Sequence, residues 1–415
     1  MPQASIIHTQ DRSLMGIYSV AKNYYETVRG ITTNIADSAI LRIYNKRYHN
    51  TEKSKYPNVS DFLLNRPNLL DHGPRCVLVN CNKEKTVSAY KETVIYAGSP
   101  PFEEYHDAVY FPSKKKHWPV LDSALYKRKG HLIKSSCTFR GINKKKVTKV
   151  HEFRAIPAGI GLMPGNYVYL GALVDHFGHF MTEALARIWY LAENPDLKCR
   201  LVFHGDSKQQ KAYMRDFFSL FGIDERRIFI FDRPVRLEHV IVPFPSMSNM
   251  AWIYEAHKKA MEYITDTIFK NSDAEQSSQP VYLSRTKLSP RQRLIYNEKK
   301  IESYMARKNA KIVYPEQLTL QQQIQLWNTH PIFIGPIGSA HHGTLFALQP
   351  KTNVYLCENP LRNFMMIDAL KENKSYYLSC LDYFAPFQPK TTGKNSNMII
   401  DCELVFSAFK DLSIV

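Results

Sequence analysis

Two histidines, a glutamate and an arginine recur at helical spacing in the segment Asp175–Arg187. The side chains that fall within about 80° of one another on a helix are His176, His179, Glu183 and Arg187. The opposite side of that helix is apolar and is expected to pack. A general base on the polar face could deprotonate a hydroxyl group. Near the helix N-terminus the positive end of the dipole depresses the pKa of an imidazole and favours its neutral form.

Two other interpretations of this face stay open. It could be a solvated face on which a His–Glu pair at i, i+4 only stabilises the helix. Two histidines and a glutamate also form part of a zinc ligand set, but HEXXH is absent and no third ligand cluster stands out. Catalysis and structural stabilisation are therefore the leading interpretations, and no metal is expected.

A second group of chemical residues follows a predicted strand at 281–284. Arg285 lies at the carboxyl end of that strand, and Arg291 and Arg293 lie in the first turn of a helix predicted over 290–307. Guanidinium groups bind phosphate bidentately, and the N–H groups at a helix N-terminus favour anions. This combination indicates a diphosphate site.

A third group is the glycine-rich turn 335–343, between a strand and a helix. Gly335 and Gly338 permit close approach of the backbone to a phosphate or a base, and Ser339 can cap the helix and contact an anion. Glu358, just after the following strand, is placed to accept ribose hydroxyls, although a surface glutamate is an equally simple interpretation.

The elements that must position these groups alternate between strand and helix. A helix is expected over 175–193 and another over 208–220, between strands at 166–170, 200–203, 228–230 and 239–242, which predicts a parallel α/β sheet. The polar stretch Asn271–Pro280 is the expected domain boundary. Beyond it, strands at 281–284, 311–314, 332–335 and 354–357 predict a Rossmann-like array that binds ligands at the carboxyl ends of its strands. The predicted units are an N-terminal extension at 1–74, an acceptor-side α/β domain at 75–272 and a nucleotide-sugar-binding domain at 280–415.

Bulk properties are consistent with this division. The chain has 415 residues, of which 44% are hydrophobic, enough for two cores. Seven cysteines without a CxxC pair are expected to be reduced. Apolar runs are far shorter than the ~20 residues of a membrane span, and the N-terminus does not read as a signal peptide, so a cytoplasmic protein is expected.

The net charge of +17 is concentrated between residues 110 and 150, where twelve Lys/Arg oppose one acid, Asp122. Such a stretch attracts phosphate-bearing substrates, nucleic acid or an anionic membrane surface, although a solvated lysine-rich hairpin is an equal alternative. Its lysines form triplets with few aromatics between them. That pattern favours electrostatic docking at the inner face of the plasma membrane over nucleic-acid reading. A basic nucleic-acid- or membrane-binding protein without catalysis is the alternative function.

Several motifs together resemble glycosyltransferase family 61. In order, they are DHFGHFMTEALARIWYL at 175–191, YLSR at 282–285, Arg293 with NE at 297–298, YPEQLTLQQQIQLWN at 314–328 and IGPIGSAHHGTLFAL at 334–348. The resemblance implies a GT-B fold, with two Rossmann-like domains facing across a cleft, and inverting transfer from a UDP-sugar to a glycan or lipid-linked acceptor. It also implies a role in bacterial capsule or other cell-surface polysaccharide synthesis.

Carried over onto this sequence, the resemblance gives each motif a role. Arg285 and Arg293 would hold the donor diphosphate, with Asn297 and Glu298 ordering that shell. The donor loop would comprise Gly335, Gly338 and Ser339. The acceptor side would comprise His176, His179 and Glu183. Ile337 stands where the family has a histidine, and His341 or His342 follows one turn later. No D-x-D motif occurs, so arginines rather than a metal are expected to neutralise the leaving UDP, and no cofactor is expected.

Overall fold

The structure, a computed structural model, describes residues 76–81, 94–113, 122–141, 156–205, 211–269, 275–288, 295, 297–383 and 398–413. The chain divides into two compact units, one comprising 1–53 with 153–160 and the other comprising 54–152 with 161–415. All the described strands and helices lie in the second unit. The predicted extension at 1–74 lies outside the described residues.

The strands of this unit, in chain order, are β1 (Cys76–Val79), β2 (Val94–Tyr96), β3 (Phe102–Tyr110), β4 (Leu125–Tyr126), β5 (Leu162–Ala172), β6 (Arg200–His204), β7 (Ile228–Phe229), β8 (Val235–Pro243), β9 (Met247–Ser248), β10 (Trp252–Tyr254), β11 (Val281–Leu283), β12 (Lys311–Val313), β13 (Ile332–Pro336), β14 (Thr352–Cys357), β15 (Lys374–Ser379), β16 (Leu381–Tyr383) and β17 (Met398–Ile400). The α-helices are α1 (Phe177–His179), α2 (Trp189–Glu193), α3 (Ala212–Leu220), α4 (Glu255–Phe269), α5 (Glu298–Arg307), α6 (Leu320–Thr329), α7 (Arg362–Leu370) and α8 (Cys402–Asp411). Short 3₁₀ helices occupy Lys134–Ser136, Glu225–Arg227, Pro315–Gln317 and Ser339–Phe346.

One six-stranded sheet carries the predicted acceptor side. Its order is β4-β3-β8-β5-β6-β7, and the strands β8, β5, β6 and β7 are parallel neighbours. These four strands correspond to the runs at 166–170, 200–203, 228–230 and 239–242, so their predicted parallel pairing is confirmed. The sheet as a whole is mixed, because β3 runs antiparallel to both β8 and β4. The first three residues of β3 are exposed. An antiparallel edge tolerates such exposure, whereas parallel strands are usually covered on both faces.

The second six-stranded sheet, β1-β15-β14-β13-β11-β12, is parallel throughout. Four of its strands, β11 to β14, coincide with the runs predicted after Pro280, whereas β15 is not among the predicted strands. Parallel strands of this kind are apolar because helices cover a parallel sheet on both faces. The edge strand β1 comes from the segment assigned to the N-terminal domain. The mixed α/β class is confirmed, whereas the boundary at 272–280 stays a prediction.

Two helices after Pro280, α6 and α8, begin at side-chain caps. Thr319 and Gln322 form a capping box before α6, with Thr319 Oγ1 accepting from the Gln322 N–H at 3.2 Å. The helix expected from Pro290 begins only at Glu298. Ile295 forms an isolated bridge with Met398, and Asn297 binds both backbone groups of Ile400, so these two residues are held by β17.

Candidate active site

The predicted catalytic segment, Asp175–Arg187, folds as two short pieces instead of one regular helix. α1 is a single turn, and Phe180–Ala184 continues as a π-helix in which the Leu185 N–H donates to Phe180 O over 3.0 Å. The extra residue in this turn changes which side chains share a face. Segments of this kind recur at functional sites. The prediction of one regular helix is therefore wrong. The alternative of a solvated polar face is wrong for Glu183 and Arg187, which are buried.

Arg187 has a structural role. Its Nε donates to Pro243 O at 2.9 Å, and its Nη2 donates to Ser135 O and Cys137 O at 2.8 and 2.6 Å. Gly171, in a left-handed conformation (φ +90°), leaves the room that this guanidinium needs, because a Cβ there would lie 2.6 Å from Nη1. Arg187 therefore ties the sheet to the 3₁₀ helix at 134–136.

Glu183 is the centre of a buried polar cluster. Both of its oxygens bind the Arg140 guanidinium, with Arg140 Nη2 donating to Oε2 at 2.6 Å. The Asn249 amide also donates to Oε1. Burial by itself raises the pKa of the Glu183 carboxyl, but the hydrogen bonds from His179 and Arg140 more than offset it, so the pKa lies below its ordinary value. Glu183 is therefore an ionised carboxylate.

His179 is oriented by that carboxylate. Its Nδ1 lies 3.2 Å from Glu183 Oε2, and 28% of its side chain is exposed. A negative partner favours the hydrogen on Nδ1 and leaves the lone pair on Nε2. This is the arrangement of a histidine base with an orienting acid.

His176 precedes α1 in extended backbone and is exposed. Its ring centroid lies 5.0 Å from that of His179. Burial, and then the neighbouring His179, lower the pKa of His176. The lowered pKa agrees with the expectation, but its physical cause is desolvation and a like-charged neighbour, because α1 is too short to supply much dipole.

The histidine segment packs directly on the predicted donor loop. A Cβ built on Gly178 would lie 2.8 Å from Ser339 Oγ and 3.3 Å from His342 Cε1, so only a glycine fits between these groups. Ser339 is the first residue of its 3₁₀ helix, whereas the cap residue is Gly338, which has no side chain to cap with. The expected capping by Ser339 is therefore wrong. The contact brings the two halves of the predicted site together.

The donor loop is also close to Arg285. A Cβ on Gly338 would lie 2.9 Å from Arg285 Nη1, and a Cβ on Gly335 would lie 2.7 Å from Leu283 O. Both glycines therefore allow an approach that a larger residue would block. Arg285, at the carboxyl end of β11, thus lies against the glycine-rich turn.

Glu298, the first residue of α5, binds the backbone of Arg285. Its Oε1 accepts from the Arg285 N–H at 2.8 Å and from Tyr282 Oη at 3.3 Å, while its buried Oε2 has no hydrogen-bond partner among the described residues. Burial raises the pKa of Glu298 to about 7. One turn later, Glu302 accepts from Ser284 Oγ and Thr286 Oγ1, each at 2.7 Å. Two carboxyl groups of α5 thus fix the strand end that carries Arg285.

Other predicted site residues lie elsewhere. Asn297 uses both amide atoms on Ile400, at 2.7 and 2.8 Å, and so anchors β17. His341 is fully buried, its ring 4.7 Å from that of Tyr355, and burial lowers its pKa to about 3. This placement argues against its predicted donor contact. Glu358 is half-buried just after β14, as expected. Arg291 and Arg293 lie outside the described residues.

His342, the other candidate for the family histidine, is buried against Phe364, with ring centroids 4.7 Å apart. Its Nδ1 lies 3.2 Å from Ser339 O, and burial lowers its pKa to about 3. His342 is therefore a neutral packing residue at the back of the histidine segment.

Three residues of the site were not foreseen from the sequence. Arg140 and Asn249 bind Glu183 directly, and Asn363 binds Asn249 at 2.6 Å. They lie 43, 66 and 114 positions from the residues they contact, so no local spacing could indicate them. Arg140 belongs to the basic stretch that was interpreted as solvated or docking.

The rest of that basic stretch is described only in part, since 114–121 and 142–150 lie outside the described residues. Its middle forms a turn, in which the Lys127 N–H donates to His131 O at 2.7 Å. The side chains of Lys127, Arg128 and Lys129 are exposed. The predicted membrane contact stays a prediction.

Within the described ranges, no group of three His, Cys, Asp or Glu side chains could hold a metal ion. In the same residues, no helix combines the length and apolar character that crossing a bilayer needs.

Residues 177–355 match the model of the family Glycosyltransferase 61. The matched range begins at α1 and ends in β14, so it includes His179, Glu183, Arg285 and the loop 335–339. No curated protein matches the chain.

Proposed function

We propose that this chain, a glycosyltransferase, transfers a sugar from a UDP-sugar to a hydroxyl group of a glycan or lipid-linked saccharide, with inversion at the anomeric carbon. We further propose a GT-B arrangement of two facing domains, a cytoplasmic site of action in cell-surface polysaccharide synthesis, and transfer without a metal.

One observation carries the proposal. The contact of Gly178 with Ser339 joins a histidine–carboxylate pair to a glycine-rich turn that lies beside an arginine. A single displacement on a sugar nucleotide requires three features. They are a base for the acceptor hydroxyl, a backbone turn that a phosphate can approach closely, and a cation beside the phosphate. Their proximity supports transfer over a binding role without catalysis.

His179 is the proposed base. Its Nε2 takes the proton from the acceptor hydroxyl as that oxygen forms a bond to the anomeric carbon. The bond from that carbon to the diphosphate oxygen breaks, and its electron pair leaves with UDP. Glu183 stabilises the imidazolium that forms, because it stays ionised beside Arg140.

Arg285 and the turn at 335–339 are the proposed partners of the leaving diphosphate. The guanidinium lies against Gly338, and the first N–H groups of the following 3₁₀ helix have no partners within that helix. Charge that develops on the diphosphate in the transition state is stabilised there.

A panel of UDP-, GDP- and CMP-sugars, scored by release of the nucleotide, tests the activity, and a thermal shift with UDP tests the site. We expect UDP to raise the melting temperature of the wild-type protein and Arg285→Ala to abolish that rise. Arg226→Ala, which removes an exposed arginine paired with Asp224, is the matched control and should keep it. A UDP shift that survives in Arg285→Ala would contradict the donor-site assignment.

A further inference from the structure

A chain of amide contacts leads from α7, in the second sheet's half, to the proposed base. Asn363 Nδ2 donates to Asn249 Oδ1 at 2.6 Å, and Asn363 Oδ1 accepts from the Met250 N–H. The buried Asn249 in turn donates to Glu183 Oε1, the carboxylate that orients His179. Its Nδ2 also lies 3.3 Å from His179 Nδ1, a packing contact between two N–H donors. Each of these hydrogen bonds joins residues that are at least 66 positions apart in the sequence.

The chain of contacts passes through a strained turn. Met250, between β9 and β10, has a left-handed backbone (φ +64°) although it is not a glycine, and 45% of it is exposed. That conformation is strained for a residue with a Cβ. Asn363 accepts the N–H of this same residue and so holds the turn in place. Strain that the surroundings enforce is typical of functional sites.

The contact with Asn363 determines which way the Asn249 amide faces. Because Asn363 offers an N–H to Asn249, it selects the orientation in which Asn249 presents its oxygen to Asn363 and its NH₂ group to Glu183. The reverse orientation would direct the amide oxygen at the ionised carboxylate. Removing Asn363 therefore releases an amide that touches both members of the base pair.

We propose that Asn363 is a positioning residue for sugar transfer, acting through Asn249 to keep Glu183 and His179 in the geometry that proton removal needs. This inference rests on the proposed function of His179. Through Asn363, the sheet that would bind the donor also helps to position the proposed base. Asn363 lies in the first turn of α7, which follows Glu358 at the end of β14.

A double-mutant cycle tests the proposal, using the nucleotide sugar that gives the fastest release in the panel. We expect Asn363→Ala and Asn249→Ala each to lower kcat by roughly 10- to 100-fold while the KM for the donor changes by less than about threefold, as misplacement of a catalytic group does. Combined, they should lower kcat no further than Asn249→Ala alone, because the first acts through the second. Equal losses from Asn363→Ala in both backgrounds, or an unchanged kcat in the single variant, would overturn the proposal.

Asn363→Asp is a second variant, which separates loss of positioning from loss of the folded turn at Met250. It retains an acceptor for the Met250 N–H but replaces the donor to Asn249 by an oxygen, so kcat should fall while the turn is kept. Asn328→Asp is the matched control. Asn328 is also half-buried, and its amide donates to Ile324 O and Phe346 O and accepts from Leu348. This control should keep its kcat within about twofold, and a loss as large as that of Asn363→Asp would overturn the proposal.

His179→Ala separates the failure of this inference from the failure of the proposed function. If His179→Ala retains full transfer, the base assignment and this inference fail together. If His179→Ala is inactive and the cycle is additive, only the role of Asn363 is overturned.

Discussion

At the scale of single residues, the site depends on a carboxylate that is ionised although it is buried. Glu183 is 6% exposed, and Arg140, which binds both of its oxygens, is 9% exposed. Such a pair is costly to break, because the remaining charge stays buried without its partner. The same ion pair keeps the Glu183 carboxylate negative beside His179, where it would stabilise the imidazolium that forms when His179 accepts a proton.

Glu183→Gln tests this dual role. We expect kcat to fall by about 10²-fold or more, since the imidazolium loses its counter-charge, and the free energy of unfolding to fall by roughly 3 kcal/mol. Steady-state transfer and urea unfolding measure the two effects. Glu104→Gln is the control, because Glu104 also binds a histidine, His239, at 2.9 Å but on an exposed strand. A Glu183→Gln variant with wild-type kcat would show that the base lies elsewhere.

At the scale of elements, α5 fixes the end of β11 through two carboxyl groups with opposite behaviour. The pKa of Glu298 is raised to about 7 by burial. Burial also acts to raise the pKa of Glu302, but hydrogen bonds from Thr286, Ser284 and Tyr314 lower it below its ordinary value. The strand end that carries Arg285 is therefore held by one carboxyl group that titrates near neutral pH and one that is ionised there.

Glu298 should make stability depend on pH. Between its ordinary pKa of 4.5 and its folded pKa of about 7, the folded state binds a proton that the unfolded state releases. Stability therefore falls as pH rises across this window, by roughly 3 kcal/mol at most, and is level above it. Urea unfolding of Glu298→Gln at pH 5 and pH 7.5 should lack this loss.

The matched control for that experiment is Glu302→Gln. The lowered pKa of Glu302 gives stability that is lost only below its ordinary pKa of 4.5, so this variant should keep the wild-type slope between pH 5 and 7.5. A Glu298→Gln variant with an unchanged slope would count against a buried, protonated Glu298.

At the scale of the whole molecule, the two sheets meet where Gly178 contacts Ser339. The Gly178→Ala variant places a methyl group 2.8 Å from Ser339 Oγ, so the histidine segment and the loop must separate. We expect kcat to fall by about 10-fold or more and Ser339→Ala to restore part of it in the double variant. Gly161→Ala is the control, because a Cβ there meets nothing within 4 Å.

Local pattern predicted much of this molecule. The apolar runs of β11, β13 and β14 predict buried parallel strands, and the i, i+4 spacing of His179 and Glu183 predicts their contact. What local pattern could not predict depends on distant chain segments. Burial of Glu183 requires Arg140 and Asn249, and burial of His341 depends on packing against Tyr355. The π-helix at 180–184 also replaced the regular periodicity on which the polar face was predicted.

The pairing of β1 with β15 has a consequence for how the chain is made. Asn80 Nδ2 donates to Ser379 O across 299 positions, so the edge strand of the second sheet leaves the ribosome long before its neighbour exists. Contacts of such separation carry a large loop-closure entropy and slow the folding of a domain. Until residue 379 has emerged from the ribosome, β1 has no β15 strand to pair with. A shortened chain that begins at residue 280 would leave β15 as a bare strand edge, open to pairing with another chain.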